Sequence, residues 1–232
     1  MHNTSQLVGR VLAVRVGEVR MQHWSGRDIS TGAEKQAQQH PVLATPEGLV
    51  GDAQGNLKVH GGPDKAICCY PAEFYPQWQA EGIDVPEGAF FENLTLTGLT
   101  DDDVHLGDVL TVGSAVVQVT QPRRPCTTVS ARWSNRELPR LMQSRGRTGY
   151  YLRVLEAGEI KAGDAMVLTE RQPASVSVAE VNRVMNVDRL DRAGIRRVLN
   201  SPELPDRWRT QLERRLNYGE LTDETARLGP AQ

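Results

Sequence analysis

The sequence predicts a mainly β domain with helices, followed by a small bundle of three helices. Three observations carry this. Up to residue 169, short runs of Val, Leu, Ile and Thr recur between Gly, Asp and Pro turns, the pattern of a β-barrel or sandwich. The 232 residues include 21 Gly and 13 Pro but only 5% aromatics, so much of the chain has to be turn and irregular connection. Near Gln172-Pro173 glycine nearly vanishes and apolar residues take helical spacing, which divides residues 1–172 from residues 173–232.

Residues 7–19 alternate weakly and are rich in Val, which suits a first strand. Residues 25–46 are polar and read as a long surface excursion. In residues 48–62, Asp52, Gln54, Asn56, Lys58 and His60 fall at every second position. An extended chain sets them on one face, either a solvated strand face or the polar wall of a ligand cleft. His60-Gly61-Gly62-Pro63-Asp64-Lys65 is a sharp turn. Its N–H groups and lysine suit an anion, although an ordinary surface turn has the same chemistry, and the phosphate-loop pattern G-x-x-x-x-G-K-[ST] is absent.

Residues 66–70 return as a buried strand. Pro71 opens a helix to about Ala80 with Phe74, Trp78 and Tyr75 inward and Pro76 awkward inside it. Short strands are expected across residues 88–113. Asp101, Asp102 and Asp103 lack a calcium-loop frame and read as solvated turn residues. Residues 137–143 suit a short helix, residues 144–149 form a basic loop, and residues 150–155 and 165–169 are strands. Beyond the boundary, Ser177-Val178-Ala179-Glu180 has the form of a capping box. Pro205 starts a helix with Trp208, Leu212 and Leu216 four apart.

Charge and cysteine usage narrow the function. The formal net charge is -2, and residues 171–232 hold 11 Lys and Arg against 9 Asp and Glu. Neither balance argues for a nucleic-acid polymer, and a helix-turn-helix reading rests on spacing alone. No stretch approaches the ~18 apolar residues that span a membrane. Cys68, Cys69 and Cys126 form no C-x-x-C pair, and three cysteines make no disulfide framework, so a reducing cytoplasm is expected.

The most chemical stretch is Gln121-Pro122-Arg123-Arg124-Pro125-Cys126, entered from the strand pattern of residues 115–120. The prolines end the strand and stiffen the loop, so the sulfur is presented in a fixed direction beside two arginines. Positive charge favours thiolate, the form that attacks electrophiles and binds soft metals. The alternative is a small core cysteine behind an ordinary loop.

Four ordered motifs together resemble a known family. They are His60-Gly61-Gly62-Pro63-Asp64-Lys65-Ala66, Glu92-Asn93-Leu94, the Cys126 loop, and the run from Gly146 and Arg147 to Leu155. The chain is similar to the MOSC domain, the C-terminal domain of molybdenum cofactor sulfurases. It resembles the stand-alone bacterial YiiM-like subfamily, whose C-terminal three-helix domain also fits. Three departures stand out. Phe91 takes a position that is often glycine in the family, Asn56 one that is often acidic, and Cys68-Cys69 precede Tyr70-Pro71 where histidine is frequent.

The resemblance implies a MOSC-type β-barrel holding a molybdopterin-type molybdenum cofactor, with Cys126 as the protein ligand to molybdenum. Lys65, Arg123 and Arg147 become candidates for phosphate or pterin contacts. Lys58, His60 and Asn93 are expected to line the same cleft, with His60 moving protons. The implied activity is reduction of N-hydroxylated bases, such as hydroxylaminopurine, to amines. The chain has no dinucleotide fingerprint and no iron–sulfur cysteine set, so electrons are expected from a separate flavoprotein-type donor. A homodimer is compatible with this reading. The rival reading is a sulfur carrier with a persulfide on Cys126.

Overall fold

The computed structural model describes residues 7–229. Its strands are β1 (Val8–Val16), β2 (Arg20–Trp24), β3 (Arg27–Thr31), β4 (Gln36–Ala37), β5 (Val42–Thr45), β6 (Gly48–Leu49) and β7 (Ile67–Pro71), followed by β8 (Leu94–Thr97), β9 (Val109–Val112), β10 (Ala115–Pro122), β11 (Tyr150–Glu156), β12 (Gly158–Ile160) and β13 (Ala165–Glu170). Seven of these close a barrel in the order β1, β13, β9, β10, β11, β7, β8, with β8 pairing back onto β1. Only β7 and β8 run parallel; the other barrel pairs are antiparallel. Closure decides between the barrel and the sandwich that the strand pattern allows.

Alternation fills the barrel. Val11, Leu96, Leu110, Val117, Val119 and Leu152 are fully buried in one apolar cluster. That cluster continues into Val178, Val181, Val184, Ile195, Trp208 and Leu212, so the helical region packs on the barrel through a common core. Its helices are Val178–Asn182, which runs on as a π turn through Arg183–Val187, then Arg192–Leu199 and Asp206–Tyr218. Ser177 Oγ accepts from Glu180 N at 3.1 Å, the capping bond that its sequence predicts. A further short helix, Thr225–Leu228, lies beyond the three that periodicity reveals. Arg227 of this helix donates to Pro125 O at 2.5 Å, and Arg140 donates to Gly229 O at 2.7 Å, which fastens the chain end beside the Cys126 loop. No helix among the described residues is long and apolar enough to cross a membrane.

A second apolar cluster gathers Tyr70, Phe74, Tyr75, Trp78 and Phe90 against Val129, Leu138 and Met142. Pro71 ends β7 rather than opening a helix. Pro76 is the third residue of the helix Phe74–Ala80, where an N–H would have no intrahelical acceptor in any case.

Three further expectations fail. Residues 25–46 are not a bare excursion, because β2 and β3 form a hairpin, β4 pairs with β1, and β5 pairs with β12. Residues 48–62 are not extended. After β6 the chain turns at Gly51, whose φ of +87° breaks any strand, and ends in the short helix Leu57–His60. Asp101 is not solvated. It is buried, and its Oδ2 accepts from Thr148 N at 3.2 Å, Thr148 Oγ1 at 3.0 Å and Gly149 N at 3.1 Å. Burial, the largest influence, pushes its carboxyl up to about 7 against the pull of those hydrogen bonds.

Candidate active site

The Cys126 loop gets its direction from the end of the barrel wall. β10 and β11 slip in register between Val119 and Gln121. At the slip, Thr120 donates to Asp64 O at 2.6 Å and so ties the turn of residues 61–65 to the barrel. Beyond Pro122, Arg123 N donates to Gly149 O at 2.8 Å. Gly149 has φ +71°, and a Cβ there would lie 2.3 Å from Cys69 O, so only glycine fits. Cys126 is extended (φ −138°, ψ 176°) and immediately precedes the helix Thr127–Trp133.

Cys126 Sγ lies 3.9 Å from His60 Nε2. Burial, the largest single influence, would push the thiol up. Hydrogen bonds and charge from His60, with hydrogen bonds from Thr128, outweigh it and hold the thiol down at about 6. That balance favours thiolate over thiol at neutral pH. Cys68 and Cys69 are the opposite case. Burial pushes Cys68 up to about 11 and Cys69 well above the usual thiol range, so both are neutral.

Two chambers meet at Cys126 and share His60, Lys65, Arg124 and Tyr151 as walls. The inner one, about 100 Å³, adds Lys35, Asp52, Phe91, Asn93 and Arg123. The outer one, about 280 Å³, is completed by residues of the helical region. Arg123 is buried with its guanidinium carbon 5.9 Å from the Phe91 ring centroid, and its Nη1 has no hydrogen-bond partner. Burial works against its charge, but Cys68, Tyr151 and Cys126 together keep its pKa above the ordinary arginine value. Burial, then Arg207 and Arg124, hold the Lys65 ammonium below the usual lysine range.

The predicted site residues divide. Cys126, His60, Lys65, Arg123 and Asn93 come together at the cleft. Asn93, however, is fully engaged. Its Oδ1 accepts from Cys68 N at 3.0 Å, and its Nδ2 donates to Asp52 Oδ2 at 2.9 Å and Arg15 O at 3.2 Å. It joins three segments and has no proton left for a ligand. Arg147 is placed elsewhere: its guanidinium lies 4.6 Å from the Trp78 ring centroid and pairs with Glu81 at 2.7 Å. The aromatic cluster under the helix Phe74–Ala80 offers that cation a face that the cleft does not. The Lys58 side chain lies outside the described residues.

Several site residues carried little signal in the sequence. Lys35 comes from the polar segment before β4 and forms an ion pair with buried Asp52, which also accepts from Gly17 N at 2.9 Å. Thr128 reveals itself only through its place after Cys126. Arg207 and Arg227 reach the cleft from the helical region, over a distance no local pattern reports.

Comparison with known proteins agrees with this architecture. The MOSC domain family matches residues 56–167, and the YiiM-like 3-alpha helix domain matches residues 176–219. An uncharacterized protein YflK of Bacillus subtilis is 39% identical over 86% of this chain and 90% of its own length. Protein YiiM of Escherichia coli is 35% identical over 81% of this chain and 85% of its own. A protein named reductase from Gibberella moniliformis is 35% identical over 76% of this chain, which spans 32% of that longer protein. The crystal structure of YiiM from Geobacillus stearothermophilus superposes with a TM-score of 0.75 at 34% identity, covering 90% of this chain and 99% of that one. With a closed barrel, a cysteine presented at its rim and a helical region packed on the same core, the chain belongs to the MOSC domain family and carries the YiiM-like 3-alpha helix domain.

Proposed function

We propose that this protein is an oxidoreductase that reduces N-hydroxylated compounds to amines at a molybdopterin-type molybdenum cofactor, with Cys126 as the protein ligand to molybdenum. The observation that carries this reading is a half-buried thiolate, held at about 6, in a cleft walled by Lys35, Lys65, Arg123 and Arg124. A soft sulfur anion suits a soft metal, and surrounding cations suit an anionic cofactor. Arg123 Nη1 and Arg124 Nε are buried without partners, which leaves donors for such a group. Among the described residues no three His, Cys, Asp or Glu side chains gather to cage a bare metal ion. A metal on Cys126 would need its other ligands from outside these side chains, as a molybdopterin-type cofactor would supply. The fungal relative named reductase fits this class of activity.

The bound group would supply two-electron chemistry. The chain's own residues do the rest. Cys126 would anchor the metal, and Arg123 and Arg124 would donate to the cofactor's anionic groups. His60 Nε2, 3.9 Å from the sulfur, is placed to pass a proton to a departing oxygen. Phe91 and Cys68 give the inner chamber an apolar side that limits water. Electrons come from a separate flavoprotein-type donor.

The test is reduction of hydroxylaminopurine by cofactor-loaded protein with an artificial reductant, alongside metal analysis. Wild type should hold stoichiometric molybdenum and turn over, and Cys126→Ser should lose both. Added sulfur mass on Cys126 without metal would overturn the reading in favour of a sulfur carrier.

A further inference from the structure

The residues after the helix Asp206–Tyr218 form a strap along the Cys126 loop. Gly219, at φ +70°, ends that helix in the left-handed conformation. Residues 219–223 are exposed and carry no regular structure. The short helix Thr225–Leu228 then meets the loop through one carboxylate. Glu224 Oε1 accepts from Arg124 Nη2 at 2.6 Å, and its Oε2 accepts from Arg227 Nε at 2.8 Å and from Arg227 Nη2. Arg227 Nη1 in turn donates to Pro125 O at 2.5 Å. The two residues immediately before Cys126 are thus bonded to Glu224 and Arg227, which closes a ring beside the sulfur. At the other end of the strap, Arg140 in the helix Leu138–Ser144 donates to Leu228 O at 3.3 Å and Gly229 O at 2.7 Å.

The strap forms part of the wall of the outer chamber, where Arg227 stands with Arg207 and Trp208. It is held differently from the rest of the helical region, whose helices share the apolar core of the barrel. Among the described residues of 219–229, Leu228 is the one buried apolar side chain, and it belongs to neither apolar cluster. A helix of four residues does not persist alone in water. A segment fastened by hydrogen bonds and ion pairs, with little apolar area buried, opens at far lower cost than the domain unfolds. The Arg124–Glu224 pair is its one ion pair to the loop among the described residues, and side chains 19% and 18% exposed are screened less than a surface pair. Arg124 uses Nη2 for this pair, so the Nε assigned above to the cofactor is untouched.

We propose that residues 219–229 are a gate on the outer chamber, latched by Glu224, whose release opens a route to the Cys126 sulfur. Glu224 is a positioning residue, because it acts on the Cys126 loop through Arg124 and Arg227. The guanidinium carbon of Arg124 also lies 5.7 Å from the ring centroid of Trp208, a member of the common core. Release of the latch therefore frees the strap while the helical region stays docked. The gate concerns access to the sulfur, whether Cys126 holds a metal or a persulfide, and so stands apart from the reductase reading.

The experiment is labelling of Cys126 in the cofactor-free full chain, with iodoacetamide and with a polymer-linked maleimide, at one pH. Glu224→Ala and Arg140→Ala should each raise the rate with the polymer-linked reagent by about tenfold, while the rate with the small reagent changes little. Glu224→Gln, which still accepts both bonds, should fall between Glu224→Ala and wild type. Arg140 lines neither chamber, so acceleration by Glu224→Ala alone would run through Arg124 and overturns the gate. Glu180→Ala breaks the ion pairs to Arg183 and Arg197 elsewhere in the helical region and should leave both rates unchanged. Acceleration there, or equal acceleration of both reagents by Glu224→Ala, marks general loosening and also overturns the proposal. Hydrogen exchange read by mass supplies the second measurement. In Glu224→Ala, residues 224–229 and 124–129 should gain exchange together while residues 192–199 do not. Faster exchange confined to residues 224–229 would show a fastened end that does not govern the loop, and overturns the latch.

Discussion

Replacing His60 with alanine tests the most consequential contact in the site. In the wild type His60 and Thr128 together override burial and hold the Cys126 thiol at about 6. Without the imidazole, burial is opposed chiefly by Thr128, and the thiol returns toward the ordinary thiol value of 9.0. At pH 7 the thiolate fraction then falls from about 90% to about 1%. The rate of alkylation falls much less. A more basic thiolate is the better nucleophile, with a Brønsted slope of about 0.4–0.5, which returns roughly twentyfold over three pKa units. The net loss at neutral pH is therefore about fourfold to fivefold, while the midpoint of the pH–rate curve moves by about three units. The midpoint is the quantity to measure.

The assay is iodoacetamide labelling of cofactor-free protein from about pH 4 to about pH 10, with the labelled residue identified by mass. Cys68 and Cys69 are buried and neutral across this range and should stay silent. A wild-type midpoint near that of an ordinary thiol, or a midpoint that His60→Ala leaves in place, would refute the coupling between His60 and the sulfur.

Further predictions follow from the same geometry. Asn93→Ala strands one buried donor, Cys68 N, and two acceptors, Arg15 O and Asp52 Oδ2, across three segments, so a loss of about 3 kcal/mol and a fall in Tm of roughly 6–12 °C are expected by calorimetry. Asp101 keeps its proton to about 7 when folded but releases it near the ordinary aspartate value of 3.8 when unfolded. The folded state holds the extra proton between those values, so stability should fall as pH rises through this window. Urea titrations of Asp101→Asn should show that slope flattened. Phe91→Gly should relieve backbone strain yet lose aromatic contacts, for a net destabilisation of about 1 kcal/mol, and should speed labelling of Cys126 by bulky maleimides.

What the sequence reveals about this site depends on how local each cause is. The direction of Cys126 is legible because Pro122 and Pro125 act on their own neighbours. The capping of the helix Val178–Asn182 is legible because Ser177 and Glu180 are three residues apart. The polar alternation of residues 48–62 misleads, because period-two spacing presupposes an extended backbone and Gly51 ends the strand. His60 still reaches the sulfur, but from a helical turn rather than a strand face. Arg147 shares a basic loop with glycines and looks like an anion ligand, yet Trp78 and Glu81 compete for it successfully. Lys35, Arg207 and Arg227 were beyond local reading, since closure of the barrel and docking of the helices decide where they point.

Phe91 shows how the site is coupled to a local conflict. Its φ of +63° is a left-handed conformation that disfavours a bulky residue by roughly 1–2 kcal/mol. That conformation persists because the ring stacks on Trp24 at 6.1 Å between centroids and carries the Arg123 guanidinium at 5.9 Å, contacts worth about 0.5–1.5 kcal/mol each. The two contacts together offset the strain. They also hold the hairpin of β2 and β3 against the inner chamber and fix Arg123 where its Nη1 lacks a protein partner. A glycine at this position would free the backbone and release Arg123 along with it. The strained aromatic therefore belongs to the wall that carries Arg123, and its cost is borne where it holds that guanidinium in place.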